Sequence, residues 1–226
     1  MSCNRDFVPL SNFIEDFSLR FVQYLKERDI SEPILIALGG GNTPRAYNKR
    51  IVDLIKEQEI KHLVKNIFFT VSDERHVPRA DSSSNVQMLF ETFIEPLNLE
   101  KNFIYPEYHS KLDSFCHEFA MKLNKVKAVR ALALLGVGGD GHTASLYPKN
   151  TYEVINFDNI SMVPKGHDGL ARVSLSEKEL LTFSDKWFIA NGKEKHTAVI
   201  ESLRTSSDYM PIRNLTIGNS KIFIEG

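Results

Sequence analysis

The sequence predicts an α/β fold: one doubly wound, mostly parallel sheet with helices on both faces, a Rossmann-like arrangement. Short apolar runs alternate with amphipathic helical patterns along the 226 residues, which implies βαβ units. The runs are nearly continuous in apolar character, as strands covered on both sides should be. No repeat, low-complexity tract or Pro/Gly/Ser linker divides the chain, so residues 1–226 read as a single domain.

The elements follow in order. Residues 11–28 form an amphipathic helix, with Phe13, Phe17, Phe21 and Leu25 at i, i+4 spacing. A strand at 34–38 follows Pro33, and residues 39–43 make a tight turn. Pro44 then suits the first position of a helix that runs to about residue 59. Residues 67–71, β-branched and aromatic, are the second strand. Helices follow at 85–97, where Val86, Leu89, Phe90, Phe93 and Ile94 share a face, and at 112–125. Further strands are expected at 131–135, 161–163, 172–175, 187–190 and 215–217. A helix at 193–203 lies among them, and 222–224 reads as an edge strand.

Composition narrows the function. Hydrophobic residues are 42% and charged residues 25% of the chain, an ordinary globular balance. A net charge of −1 leaves no electrostatic footprint for nucleic acid or an anionic membrane. There is no apolar run long enough to span a bilayer, and residues 1–7 lack the apolar centre of a signal peptide. A cytoplasmic protein is expected. Cys3 and Cys116 give neither a disulfide framework nor metal spacing, and read as free thiols, one of them buried.

In a doubly wound sheet, ligands bind where loops converge at the carboxyl ends of the strands. Three such loops carry unusual chemistry. Gly39-Gly40-Gly41-Asn42-Thr43-Pro44-Arg45 can cradle a phosphate with backbone N–H groups and the helix dipole. Alone, it equally describes a tight turn with capping residues. Ser72-Asp73-Glu74-Arg75-His76-Val77-Pro78 offers the Arg75 fork to an anion, or else is a solvated cluster of internal ion pairs. Its adjacent acids invite a metal, but nothing nearby completes a ligand set.

The third loop, Gly136-Val137-Gly138-Gly139-Asp140-Gly141-His142-Thr143-Ala144-Ser145, ends an apolar strand on an imidazole flanked by a carboxylate. Histidine is the side chain best matched to proton transfer near neutrality. Thr143 and Ser145 can cap a helix, and Ser145 lacks a nucleophile elbow. His62, His76, His109, His117, His167 and His196 read as structural by default. Arg172, opening a strand, and Lys195, opening a helix, can each reach a ligand phosphate or stand as solvated charges.

Taken together, the loops resemble the 6-phosphogluconolactonases, in a broader group that includes the glucosamine-6-phosphate deaminases/isomerases. Three motifs carry the resemblance: 39–44; 73–78 with Ser84-Asn85; and 135–148. Weaker likenesses lie at 172–176 and 191–195. The lactonase pattern fits better, because Arg75 stands where deaminases carry Tyr, and Leu146-Tyr147-Pro148 where they carry Asn-Glu-Pro. Asn42 replaces the usual Ser of the phosphate loop, and 164–171 matches the family imperfectly.

The resemblance implies hydrolysis of 6-phosphoglucono-1,5-lactone to 6-phosphogluconate in the oxidative pentose phosphate pathway, with no metal or organic cofactor. It implies that His142 activates water and Asp140 biases its imidazole. Arg75 would hold the substrate, and backbone N–H groups from Gly138 and Gly139 to Gly141 would face the oxyanion. Gly40, Gly41, Asn42, Thr43, Arg172 and Lys195 would bind the 6-phosphate, and Asp73 would face the substrate. The expected partner is a sugar-phosphate lactone, with no nucleic acid or membrane, for a monomer or small homo-oligomer. The alternatives are a glucosamine-6-phosphate isomerase/deaminase and a non-catalytic phosphosugar-binding protein.

Overall fold

The computed structural model describes residues 4–28, 31–148, 151–204 and 209–225. The first elements are β1 (Asn4–Leu10), α1 (Phe13–Glu27), β2 (Ile34–Leu38), α2 (Asn42–Glu57), β3 (Ile67–Val71) and β4 (Asp73–Arg75). A helical segment follows as α3 (Asn85–Leu89), a π turn (Phe90–Ile94) and α4 (Glu95–Leu97). Next come β5 (Phe103–Ile104), α5 (Leu112–Lys125), β6 (Val129–Gly136), β7 (Ile155–Asn156), β8 (Ile160–Val163) and β9 (Arg172–Leu175). The last are α6 (Glu177–Leu181), β10 (Asp185–Ala190), α7 (Lys193–Arg204), α8 (Pro211–Leu215) and β11 (Asn219–Glu225).

Among the described residues, seven strands form one sheet in the order β1-β11-β10-β6-β2-β3-β5. Every neighbouring pair is parallel. All of β2, residues 131–135 of β6 and residues 186–190 of β10 are buried without alternation. Both faces of the sheet are therefore covered, which is the doubly wound α/β class expected from sequence. On one face Phe17 of α1 meets the rings of Tyr47, Trp187 and Phe223, joining α1 to α2, β10 and β11.

From β2 the chain passes through α2 to β3 on one side, whereas from β6 it proceeds to β10 on the other. β2 and β6 are hydrogen-bonded neighbours. Their carboxyl ends therefore flank the point where the winding direction reverses, the position at which such sheets hold ligands.

Several elements differ from the sequence expectation. The strands at 161–163 and 172–175 exist, but they belong to a second, antiparallel sheet of order β4-β9-β8-β7. An apolar run reveals a strand without revealing its partners. Residues 215–217 are not a strand; α8 occupies 211–215, with Pro211 supplying a helix-ready φ in its first turn. The 222–224 run is internal, because residues 4–10, given no element from sequence, add β1 outside it. α2 opens at Asn42, two positions before Pro44. The Cys116 thiol is buried, and burial together with Asp113 pushes its pKa up to about 12. Cys3 lies outside the described residues. Among those described, no helix is long and apolar enough to cross a membrane.

Candidate active site

The three loops meet in one cleft of about 310 Å³ at the β2/β6 switch point. Residues 39–44 line one part of it, Ser72, Asp73 and Arg75 another, and Gly136, Val137, Gly138, His142 and Ala144 a third. Arg172 and Lys195 reach the same space, as do Asn85 and His167.

The histidine loop is folded to hold one imidazole. His142 Nδ1 lies 2.5 Å from Asp140 Oδ1, and the His142 backbone N–H donates to that same oxygen at 3.1 Å. Burial opposes charge on Asp140, but these two hydrogen bonds outweigh it and hold the carboxyl down at about 2. An ionised Asp140 only accepts, so Nδ1 carries the proton and Nε2 keeps its lone pair. A Cβ at Gly138 would fall 2.2 Å from the His142 ring, so glycine there is what admits the imidazole. The rings of Tyr147 and His167 lie 5.1 Å and 5.4 Å from that of His142.

No helix follows this loop, so Thr143 and Ser145 are not caps. Thr143 and Leu146 exchange backbone hydrogen bonds at 3.1 and 2.9 Å. Thr143 Oγ1 donates to the Gly136 carbonyl at 2.8 Å, and Ser145 Oγ donates to Asp73 Oδ2 at 2.7 Å. Two of the glycine N–H groups are engaged within the turn. Gly138 N–H donates to the His142 carbonyl at 2.9 Å and Gly141 N–H to the Gly138 carbonyl at 3.0 Å. Gly139 packs beside Glu194 and is not part of the cleft wall. Asp140 also stands off the wall, next to His142.

The second loop is the strand β4, and strand alternation divides its side chains. Glu74 is buried on the α3 side, accepting from the backbone N–H groups of Arg75, Asn85 and Val86 and from Ser84 Oγ, at 2.6–2.8 Å. Its burial pushes the carboxyl pKa up against those bonds. Asp73 and Arg75 face the cleft. The adjacent acids thus diverge and do not share a metal position.

Antiparallel pairing sets Arg75 opposite Arg172 and Asp73 opposite Ser174. Arg172 is 2% exposed. Its guanidinium donates to Asp168 at 2.5 Å and lies 3.5 Å from Asp73. Arg75 donates to the Ser83 carbonyl.

At the α2 terminus, Gly41 has φ 105° and no side chain caps the helix. The backbone N–H groups of the first turn lack helical partners, and Pro44 has none to offer. Asn85, not singled out as a site residue from sequence, fits against Gly40, where a Cβ would strike its amide at 2.0 Å. Its Nδ2 donates to the Asp73 carbonyl at 2.9 Å, tying the first two loops together. Lys195 is half-buried and, among the described residues, has no hydrogen bond or ion pair. His167, assigned a structural role by default, is instead on the cleft rim; the imperfectly matching segment 164–171 was the signal. His76 is structural, with Nε2 2.6 Å from the His109 carbonyl.

Residues 11–224 match the family model described as glucosamine-6-phosphate isomerases/6-phosphogluconolactonase. A 6-phosphogluconolactonase of Thermotoga maritima is 28% identical over 194 residues, which are 84% of this chain and 83% of that protein. The crystal structure of a Thermotoga maritima 6-phosphogluconolactonase superposes with a TM-score of 0.82 at 23% identity, covering 99% of this chain and 100% of the other. A monomeric glucosamine-6-phosphate deaminase superposes with a TM-score of 0.77 at 13% identity, covering 98% and 97%. At such identities the superpositions speak to the fold alone.

Proposed function

Because this chain belongs to the glucosamine-6-phosphate isomerase/6-phosphogluconolactonase family, we propose that it hydrolyses 6-phosphoglucono-1,5-lactone to 6-phosphogluconate. The observation that carries this reading is His142 at the cleft wall, its Nδ1 held by Asp140 and its Nε2 left as a base. Water attacks the lactone C1 while Nε2 takes its proton. The tetrahedral intermediate then breaks the bond from C1 to the ring oxygen, and the imidazolium returns the proton to that oxygen. General acid–base catalysis of this kind contributes about 10²–10⁴-fold.

The remaining residues fit an anchor for the rest of the substrate. Arg75 offsets negative charge on the former carbonyl oxygen. The N–H groups at the start of α2 and the uncommitted Lys195 ammonium suit the 6-phosphate. That distant anchor lets binding energy position the reacting carbon. Asp73 serves as a strut from β4, joining the histidine loop through Ser145 and β9 through Arg172. The cleft draws on residues from 39 to 195, so the whole chain acts as one domain and one copy supplies the site. The reading places the protein in the cytoplasm, on the oxidative pentose phosphate route.

One feature favours the lactonase over the sister deaminase. Among the described residues, Asp73 is the one carboxylate lining the cleft, and it is paired with Arg172 and Ser145. A lactone needs no further acid, whereas opening an amino-sugar ring does. The test is an assay of lactone hydrolysis corrected for spontaneous opening, with ammonia release from glucosamine 6-phosphate measured in parallel. Lactone turnover that falls about 10²–10⁴-fold in His142→Ala, with KM little changed, is expected. Ammonia release without lactone turnover would reject the assignment.

A further inference from the structure

The cleft holds a second imidazole. His167 stands on the exposed rim, its ring 28° from parallel with that of His142 at 5.4 Å. Its Nδ1 lies 3.2 Å from the Tyr147 hydroxyl. With its proton in place, the phenol donates to Nδ1. Tyr147 is 3% exposed, and burial pushes its pKa up, so the phenol keeps that proton. A His167 ring that accepts at Nδ1 carries its own hydrogen at Nε2. Nε2 is on the far side of the ring from Tyr147, and among the described residues it has no partner.

The charges around this ring favour its neutral form. Burial lowers the His167 pKa, and Arg172 and His142 lower it further, against the opposing pull of Asp168 and Asp140. The site thus places a neutral N–H donor beside the His142 base. Two of the glycine N–H groups expected to meet an oxyanion, those of Gly138 and Gly141, are taken up inside their own turn.

We propose that His167 is a second catalytic residue, its Nε2–H donating a hydrogen bond to the lactone carbonyl oxygen as that oxygen becomes an oxyanion. The role rests on the lactonase reading. It divides the work between two stacked imidazoles: His142 moves the proton, and His167 holds the charge that develops on the same carbon's oxygen. A donor that strengthens in the transition state raises kcat and leaves KM largely alone.

Three substitutions separate donation from packing. His167→Ala removes the ring, His167→Phe keeps a ring without the donor, and His167→Gln keeps an N–H donor without the ring. In the corrected lactone assay, the Ala and Phe variants are expected to lose about 100-fold in kcat, as for deletion of an oxyanion donor. The Gln variant should recover most of the loss. The acid limb of the kcat pH profile should stay in place in all three. Tyr147→Phe, which frees the His167 tautomer without emptying the wall, should show a smaller kcat loss. Wild-type kcat in His167→Phe, a loss confined to KM, or a vanished acid limb would each overturn the proposal. Those outcomes presuppose an active wild type; a wild type without lactone turnover would instead overturn the lactonase reading itself.

Discussion

Arg75 and Arg172 occupy directly opposed positions of the antiparallel β4–β9 ladder. Like charges set across a ladder repel, so the pairing stands only because carboxylates answer it. Asp168 and Asp73 both lie against Arg172. Arg172 is therefore a buried, carboxylate-held guanidinium at the wall, while Arg75 bears on the open side.

That difference predicts a stability role for Arg172. Arg172→Met would leave Asp73, 6% exposed, without its cation. Breaking a buried pair from one side costs about 3–5 kcal/mol. A clear drop in the urea midpoint is expected, partly recovered by adding Asp73→Asn. An unchanged midpoint would show that the pair is not what holds β4 to β9.

Lys195 should behave differently, because nothing among the described residues engages it. A charge-assisted hydrogen bond to phosphate contributes about 1.5–3 kcal/mol, or roughly 10- to 100-fold in binding. Lys195→Ala should raise KM for the phosphorylated lactone by that factor and leave turnover of an unphosphorylated lactone unchanged. An equal loss on both substrates would remove Lys195 from the phosphate subsite.

The parts of this site that were legible in sequence are local. Glycine turns, the Asp140–His142 spacing and the apolar strands preceding them are all properties of a few consecutive residues. What was not legible depends on pairing between distant segments. The strand 172–175 could be read, but not its register against 73–75, which alone brings Arg172 to Arg75. Asn85 looks like an ordinary helix opener until Gly40 is found against it. His167 had no local mark beyond the imperfect family match of 164–171; its place depends on Tyr147, twenty positions earlier. The glycine turn shows the opposite case: the N–H groups of Gly138 and Gly141 find their partners within the turn itself, a pairing that composition does not reveal.

Asp140 sets the tautomer of His142, so its removal should affect both rate and acid stability. Asp140→Asn can offer its own N–H to Nδ1, which would move the ring proton to Nε2 and disable the base. A kcat loss of about 10²–10⁴-fold is expected. The folded carboxyl is lowered to about 2 from 3.8. A lowered pKa means stability that is present above pH 3.8 and fades as pH falls through about 2. Wild type should therefore exceed Asp140→Asn at neutral pH, and their acid-unfolding curves should converge within that window. Curves that stay parallel down to the lowest pH would deny the ion pair any part in stability.

Gly138 offers the most selective test of ring placement. Unlike Gly141, at φ 84°, it is not in the left-handed region, so its backbone tolerates a side chain. Gly138→Ala puts a methyl group 2.2 Å from the His142 Nδ1 and Cε1 positions and 2.8 Å from Asp140 Oδ1, so it strikes the His142–Asp140 pair itself. His142 is on the cleft wall and can move without disturbing the core. Displacing a catalytic group by about 1 Å can cost about 10²-fold in rate. The variant should keep its melting temperature and lose kcat to that extent, whereas Gly141→Ala, which also meets Ser202 Oγ at 2.7 Å, should melt earlier. Full activity in Gly138→Ala would mean that the imidazole works from a position other than the one against this glycine.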